Sequence, residues 1–244
     1  MNPPVWQFPS APLRSSVVTS TLAGLLTVVA LANAARAALP LGDRYPLKAG
    51  GLFALISGLS IGFLQQHHPF ARFGAANQIT TLRAILVVLV AGLVGEPQRP
   101  AVAAAAVAAS VAATLLDGVD GWLARRNGIE SRFGARFDME VDALLILALS
   151  LLAWRHGKAG AWVVVSGLLR YAFVAGGTVA PWLRAALPDS RRRQTICVIQ
   201  IAALTLAMAP AIAPPVSTLL AAAALASLGY SFLIDTVWLW RRAT

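Results

Sequence analysis

Four aspartates at regular spacing are the feature of this sequence best suited to chemistry. Asp117, Asp120, Gly121, Ala124 and Arg125 fall at i, i+3, i+4, i+7 and i+8, one stripe of a helix. Gly134, Asp138 and Asp142 fall at i, i+4 and i+8, one stripe of a second helix. The eight-residue link Arg126 to Phe133 lets the two stripes face each other across an antiparallel pair. Six of the chain's ten acids (Asp117, Asp120, Glu130, Asp138, Glu140 and Asp142) lie within 26 residues. Converging carboxylates without matching lysines repel, and divalent cations relieve this. Hard oxygen ligands select Mg²⁺ or Mn²⁺ over softer metals. Gly121, Ala124 and Gly134 leave room for a ligand, and Arg125 offers a fixed cation to a phosphate oxygen. The competing reading pairs the acids with Arg125, Arg126, Arg132 and Arg136 at a membrane edge; the glycine in each series argues against it.

The elements that position these residues follow from composition. Hydrophobic residues make up 58% of the 244 and charged ones 12%, about half the share usual in a soluble domain. Mean hydropathy is +0.70. So much apolar side chain needs lipid as its solvent. Apolar runs at Ser15–Ala35, Ala49–Gln66, Asn77–Gly95, Pro100–Leu116, Gly134–Trp154 and Ala159–Leu183 each read as a spanning helix. The 41 uncharged residues Gln194–Ile234 are broken by Pro210, Pro214 and Pro215 into two more. The expected fold is an all-α, polytopic bundle of about eight spans. Isolated charges at membrane depth are costly, so the aspartates mark a functional site by default.

A net charge of +10 points to anionic lipid and phosphate-bearing substrates rather than nucleic acid. With the Asp117–Asp142 region in the cytosol, that side also holds Arg14, Arg72, Arg83, Arg184, Arg191, Arg192, Arg193, Arg241 and Arg242. The other side holds only Arg36, Arg44, Lys48, Arg99, Arg155 and Lys158, which favours both termini inside. The single cysteine, Cys197, excludes an intramolecular disulfide and reads as a packing residue in an apolar run. Trp154, Trp162, Trp182, Trp238 and Trp240 near span ends suit an interfacial belt.

The stretch Asp117-Gly-Val-Asp120-Gly121-Trp-Leu-Ala124-Arg125, then eight residues, then Gly134-Ala-Arg-Phe-Asp138-Met-Glu-Val-Asp142 resembles the CDP-alcohol phosphatidyltransferase signature, D-x-x-D-G-x-x-A-R, eight residues, G-x-x-x-D-x-x-x-D. Every fixed position and gap matches. Ala76-Asn77-Gln78-Ile79-Thr80 is similar to the family's P-N-x-x-T segment, with Ala76 in place of proline. Arg191-Arg192-Arg193-Gln194-Thr195 is similar to its K-x-K-T segment, with substitutions. The resemblance implies a six-helix transferase domain at residues 71–244, preceded at 1–70 by two extra transmembrane helices. It implies transfer of a phosphatidyl group from CDP-diacylglycerol to a polar alcohol, with release of CMP, at two Mg²⁺ or Mn²⁺ ions on the cytosolic face. Asp117, Asp120, Asp138 and Asp142 would be metal ligands, with Asp142 also the general base. Asn77, Gln78, Ile79, Thr80, Gly121, Ala124, Arg125, Ser131 and Gly134 would contact CDP. It further implies a homodimer, in what we expect to be a bacterial inner membrane.

Arg170, alone inside a span, and Arg191, Arg192 and Arg193 are candidates for an acceptor phosphate, or else partners of carboxylates and headgroups. Ala143 after the last aspartate resembles neither the lysine nor the arginine found in family members with phosphorylated acceptors, so the acceptor stays open. Two other functions fit parts of the pattern. A CDP-choline or CDP-ethanolamine donor acting on diacylglycerol shares every motif, and a metal- or proton-coupled transporter would need the acids but not the glycine and arginine spacing.

Overall fold

The computed structural model describes residues 11–67, 75–127, 132–188 and 190–243. Eight α-helices follow one another: α1 (Ala11–Ala38), α2 (Tyr45–His67), α3 (Ala75–Gly92), α4 (Pro100–Asn127), α5 (Arg132–Arg155), α6 (Val165–Val179), α7 (Arg191–Met208) and α8 (Val216–Ala243). Short 3-10 turns flank α6 at Ala161–Val164 and Pro181–Arg184. No strand occurs among the described residues. Each apolar run of the sequence has become one helix, and the break between α7 and α8 contains the three prolines, which cannot continue a helix. Pro100 opens α4, where its missing N–H costs nothing. Gly95 (φ +88°) and Gly157 (φ +66°) turn the chain before α4 and after α5, in the left-handed region that glycine enters without strain.

Ser15–Ala38, Pro100–Val119, Ala161–Val179 and Val216–Ala243 are long and apolar enough to cross a membrane. Their surfaces are the reverse of a soluble protein's. Leu26 (72% exposed), Leu115 (68%) and Leu219 (66%) face outward, whereas Arg83, Gln200 and Asp235 are buried. Lipid is the solvent that accepts such a surface. Trp154, Trp162 and Trp240 are exposed, as an interfacial belt requires, and Arg242 stacks 4.0 Å above the Trp238 ring.

The helices form two compact units, one of residues up to Gly92 with Ala112–Val141, the other of Leu93–Val111 with Asp142 onward. In the first, α1, α2 and α3 pack on one another. Small residues set the approach: a Cβ on Gly24 would meet the Phe53 ring at 2.5 Å, and one on Gly92 the Tyr45 ring at 3.0 Å. Tyr45 Oη donates to the Leu89 carbonyl at 3.0 Å, which gives a buried phenol its partner.

In the second unit α7 packs against α8, and α6 against α8 with Phe173 and Phe232 edge to face at 5.6 Å. Lys158 ties its loops together. Its ammonium donates to the Ala209 carbonyl at 2.9 Å and the Ile212 carbonyl at 2.5 Å, and its own carbonyl accepts from Ser217 Oγ at 2.7 Å. Beside it, burial together with the charges of Lys158 and Arg155 pushes the His156 imidazole below its ordinary pKa. On α6, Gly167 meets the α5 backbone so closely that a Cβ there would lie 2.5 Å from Leu147 Cα. Backbone cannot yield as a side chain can. Gly167→Ala should therefore cost about 1–3 kcal/mol through overpacking, read as a lower Tm, whereas Gly229→Ala, with nothing within 4 Å of the new Cβ, should cost nothing measurable.

Candidate active site

Arg83 is the hub of the acidic region. It lies on α3, with only 3% of its side chain exposed, and its Nη1 donates to Asp117 Oδ1 at 2.8 Å and to Asp138 Oδ1. A guanidinium buried this deeply needs anionic partners, and α4 and α5 each bring one. Asp142 stands one turn beyond Asp138 on the unbroken helix α5, on the same stripe. Asp117, Asp138 and Asp142 each offer a carboxylate oxygen, all within 4.8 Å of one another. Oxygens on one Mg²⁺ stand about 3.0 Å apart when adjacent and about 4.2 Å when opposite, so the three would draw closer together to share a cation. The donor set is all oxygen and anionic, which fits a hard divalent ion.

The α7 side of Asp142 is closed by Cys197, whose Sγ lies 3.6 Å from Asp142 Oδ2. Arg170 comes from α6. It is half-buried and follows by three residues the Gly167 that meets the α5 backbone at Leu147. On the first turn of α3, Asn77 and Thr80 are buried, Ile79 is half-buried and Gln78 is exposed. Gly134 lies on the first turns of α5.

A model of the CDP-alcohol phosphatidyltransferase family matches residues 73–232, about two thirds of the chain. The chain belongs to this family. No curated protein and no solved structure matches it. Members are membrane transferases of phospholipid biosynthesis that act on CDP-linked substrates with divalent metals, and the aspartate cluster fits metal binding. The family match begins just before α3, and α1 and α2 lie outside it.

Of the site residues expected from the sequence, Asp120, Gly121, Ala124 and Arg125 lie on the last turns of α4. Their side chains, and Ser131 altogether, are outside the described residues. The basic segment is divided. Arg192 donates to Asp235 Oδ1 at 2.5 Å and to the Ser231 carbonyl and hydroxyl at 2.8 and 2.9 Å. Arg193 reaches Asp235 at 3.5 Å and also donates to the Pro188 carbonyl. Arg191 is exposed.

Sequence reasoning missed three partners. Arg83 was visible as the lone charge of its span, which is a signal in itself, yet nothing local names its carboxylates. Asp235, the acid that ends the long apolar run, carried the same signal. Cys197 was expected only to pack; it is half-buried and its thiol lies against Asp142.

The hub makes a testable demand. Arg83→Gln leaves Asp117 and Asp138 facing each other without their cation. In the presence of a chelator this should lower stability by about 2 kcal/mol, less than for a wholly buried pair because both carboxylates are about a third exposed. Saturating Mg²⁺ should restore part of the loss. Thermal unfolding with and without metal measures both effects.

Proposed function

We propose that the protein transfers a phosphatidyl group from CDP-diacylglycerol to a small polar alcohol and releases CMP. The observation that carries this is the Asp117–Asp138–Asp142 cluster on the family's own spacing. Asp117, Asp120, Asp138 and Asp142 would hold two ions, Mg²⁺ or Mn²⁺. Such ions supply charge neutralisation on the pyrophosphate and on the departing CMP.

The remaining steps belong to the chain. Asn77 to Thr80, Gly121, Ala124, Arg125, Ser131 and Gly134 bind the CDP moiety and align its pyrophosphate. Asp142 accepts the proton of the acceptor hydroxyl as its oxygen attacks the phosphorus that carries diacylglycerol. The bond from that phosphorus to the CMP oxygen breaks, and CMP leaves with the electron pair. The exposed leucines of the helices let the acyl chains stay in the bilayer throughout. The half-buried Arg170 on α6 and the exposed Arg191 would offer cations to an anionic acceptor. The arginine-rich side of the chain favours a cytosolic site, and we place the protein, as a homodimer, in a bacterial inner membrane, with the two N-terminal helices added to a six-helix transferase domain.

The test is CMP release by the purified protein in lipid micelles with Mg²⁺ or Mn²⁺. CDP-diacylglycerol is offered with glycerol 3-phosphate, serine, inositol, inositol phosphate, choline and ethanolamine in turn. Metal-dependent release with one alcohol is expected. Release only from CDP-choline or CDP-ethanolamine with diacylglycerol would reverse donor and acceptor, and no release from any pair would sink the transferase reading.

Two variants test the base. Asp142→Asn should lower turnover at least about a hundredfold while CDP-lipid binding is largely kept. Glu140→Gln, off the Asp138–Asp142 stripe, should keep most of its activity. Normal turnover in the first, or an equal loss in both, overturns the assignment.

A further inference from the structure

Gln200 is the residue whose presence packing does not explain. It lies on α7, is fully buried, and neither its amide nitrogen nor its amide oxygen has a hydrogen-bond partner among the described residues. An amide carries two donors and an acceptor. Buried without partners it destabilises the fold, and the penalty grows at membrane depth. Methionine would fill the same volume with no polar group to satisfy.

Its position indicates what the amide serves. Gln200 follows Cys197 by three residues, so the two share a face of α7. Helical side chains lean toward the N-terminus of their helix, which carries the Gln200 amide back over the turn that holds Cys197. Cys197 Sγ is itself 3.6 Å from Asp142 Oδ2. On α6, Ser166 is also buried, and its hydroxyl has no hydrogen-bond partner among the described residues. The unpartnered Gln200 amide thus lies about one helical turn from the residue that touches Asp142.

We propose that Gln200 is a specificity-determining residue for the acceptor. Its amide hydrogen-bonds a second polar group of the alcohol, a few bonds from the hydroxyl whose proton passes to Asp142. This rests on the transferase reading given above. The acceptor class it selects is a small molecule with a hydroxyl and a neighbouring hydroxyl, amine or carboxylate. An alcohol with no second polar group would leave the amide unpaired in the complex and be a poor substrate.

The experiment compares full-length wild type, Gln200→Met and Gln200→Asn in steady-state CMP release. The acceptor is whichever alcohol of the panel supports release by the wild type. It is varied at saturating CDP-diacylglycerol and Mg²⁺, and the donor is then varied in turn. Gln200→Met should raise the acceptor KM about tenfold or more, the worth of one or two desolvated hydrogen bonds, and change the donor KM less than twofold. Its acceptor-free Tm should equal or exceed that of the wild type, because an unpaired buried amide has been removed. Gln200→Asn, which keeps the amide on a shorter arm, should fall between the two in acceptor KM. An unchanged acceptor KM in Gln200→Met, with the wild type active, overturns the proposal and leaves the transferase reading standing. A Tm several degrees lower, or failure to fold, also overturns it, since the amide would then already be satisfied in the protein. A wild type inactive with every pair removes the transferase reading, and this inference with it.

Discussion

A carboxylate carried into an apolar helix bundle has to be neutralised before the helix can be placed at all. Desolvating one ion costs several kcal/mol, more than most helix–helix contacts return. Arg83 answers that cost for Asp117 and Asp138 together, with one buried guanidinium reaching a carboxylate from each of two helices. Asp142, a turn further along α5, adds a third carboxylate to the cluster. The same arrangement brings three carboxylates together beside a single buried guanidinium. A divalent cation suits such a cluster better than a further lysine would, because it binds several oxygens at once.

The second unit solves the same problem in a different way. Asp235 sits on α8 among apolar neighbours and is held by Arg192 and Arg193, while Arg192 spends its remaining donors on Ser231. Lys158 likewise satisfies carbonyls that the proline-broken connection between α7 and α8 leaves without helical partners. In both cases a long basic side chain completes hydrogen bonding where lipid offers none. This bears on the basic segment at the start of α7. Two of its three arginines are already engaged inside the protein, so the segment has a structural task whatever it also does for substrates. Arg191 is exposed.

How much of this could be read in advance depended on the range of the interaction. The eight helices were legible because lipid demands unbroken apolar runs, and prolines and glycines mark where the runs stop. The approach of Asp117 on α4 to Asp138 and Asp142 on α5 was legible because all three lie within 26 residues and the helical repeat fixes which positions share a face. The partners of Arg83 were not, since Asp138 lies 55 residues away in sequence and periodicity says nothing about which distant helix will approach. Cys197 and Asp142, also 55 residues apart, escaped for the same reason. Composition made a packing residue of Cys197, and only the register between α5 and α7 turns its thiol toward a carboxylate.

That difference in range also explains why the reaction class is easier to read than the acceptor. The groups that would bind metal and CDP are concentrated in one helical hairpin and one short segment before it, so a linear pattern captures them. The acceptor side would be assembled from α6 and α7, whose register on α5 is set by packing details such as Gly167 against Leu147. A pattern of residue types cannot encode that register, and Ala143 after the last aspartate gives no local hint of acceptor charge. What distinguishes this chain is then to be sought in polar groups that the packed helices leave unsatisfied. Gln200 and Ser166 stand out because an apolar replacement would serve the fold at least as well. Residues kept at a cost to stability are the natural carriers of specificity, since binding is what returns the cost.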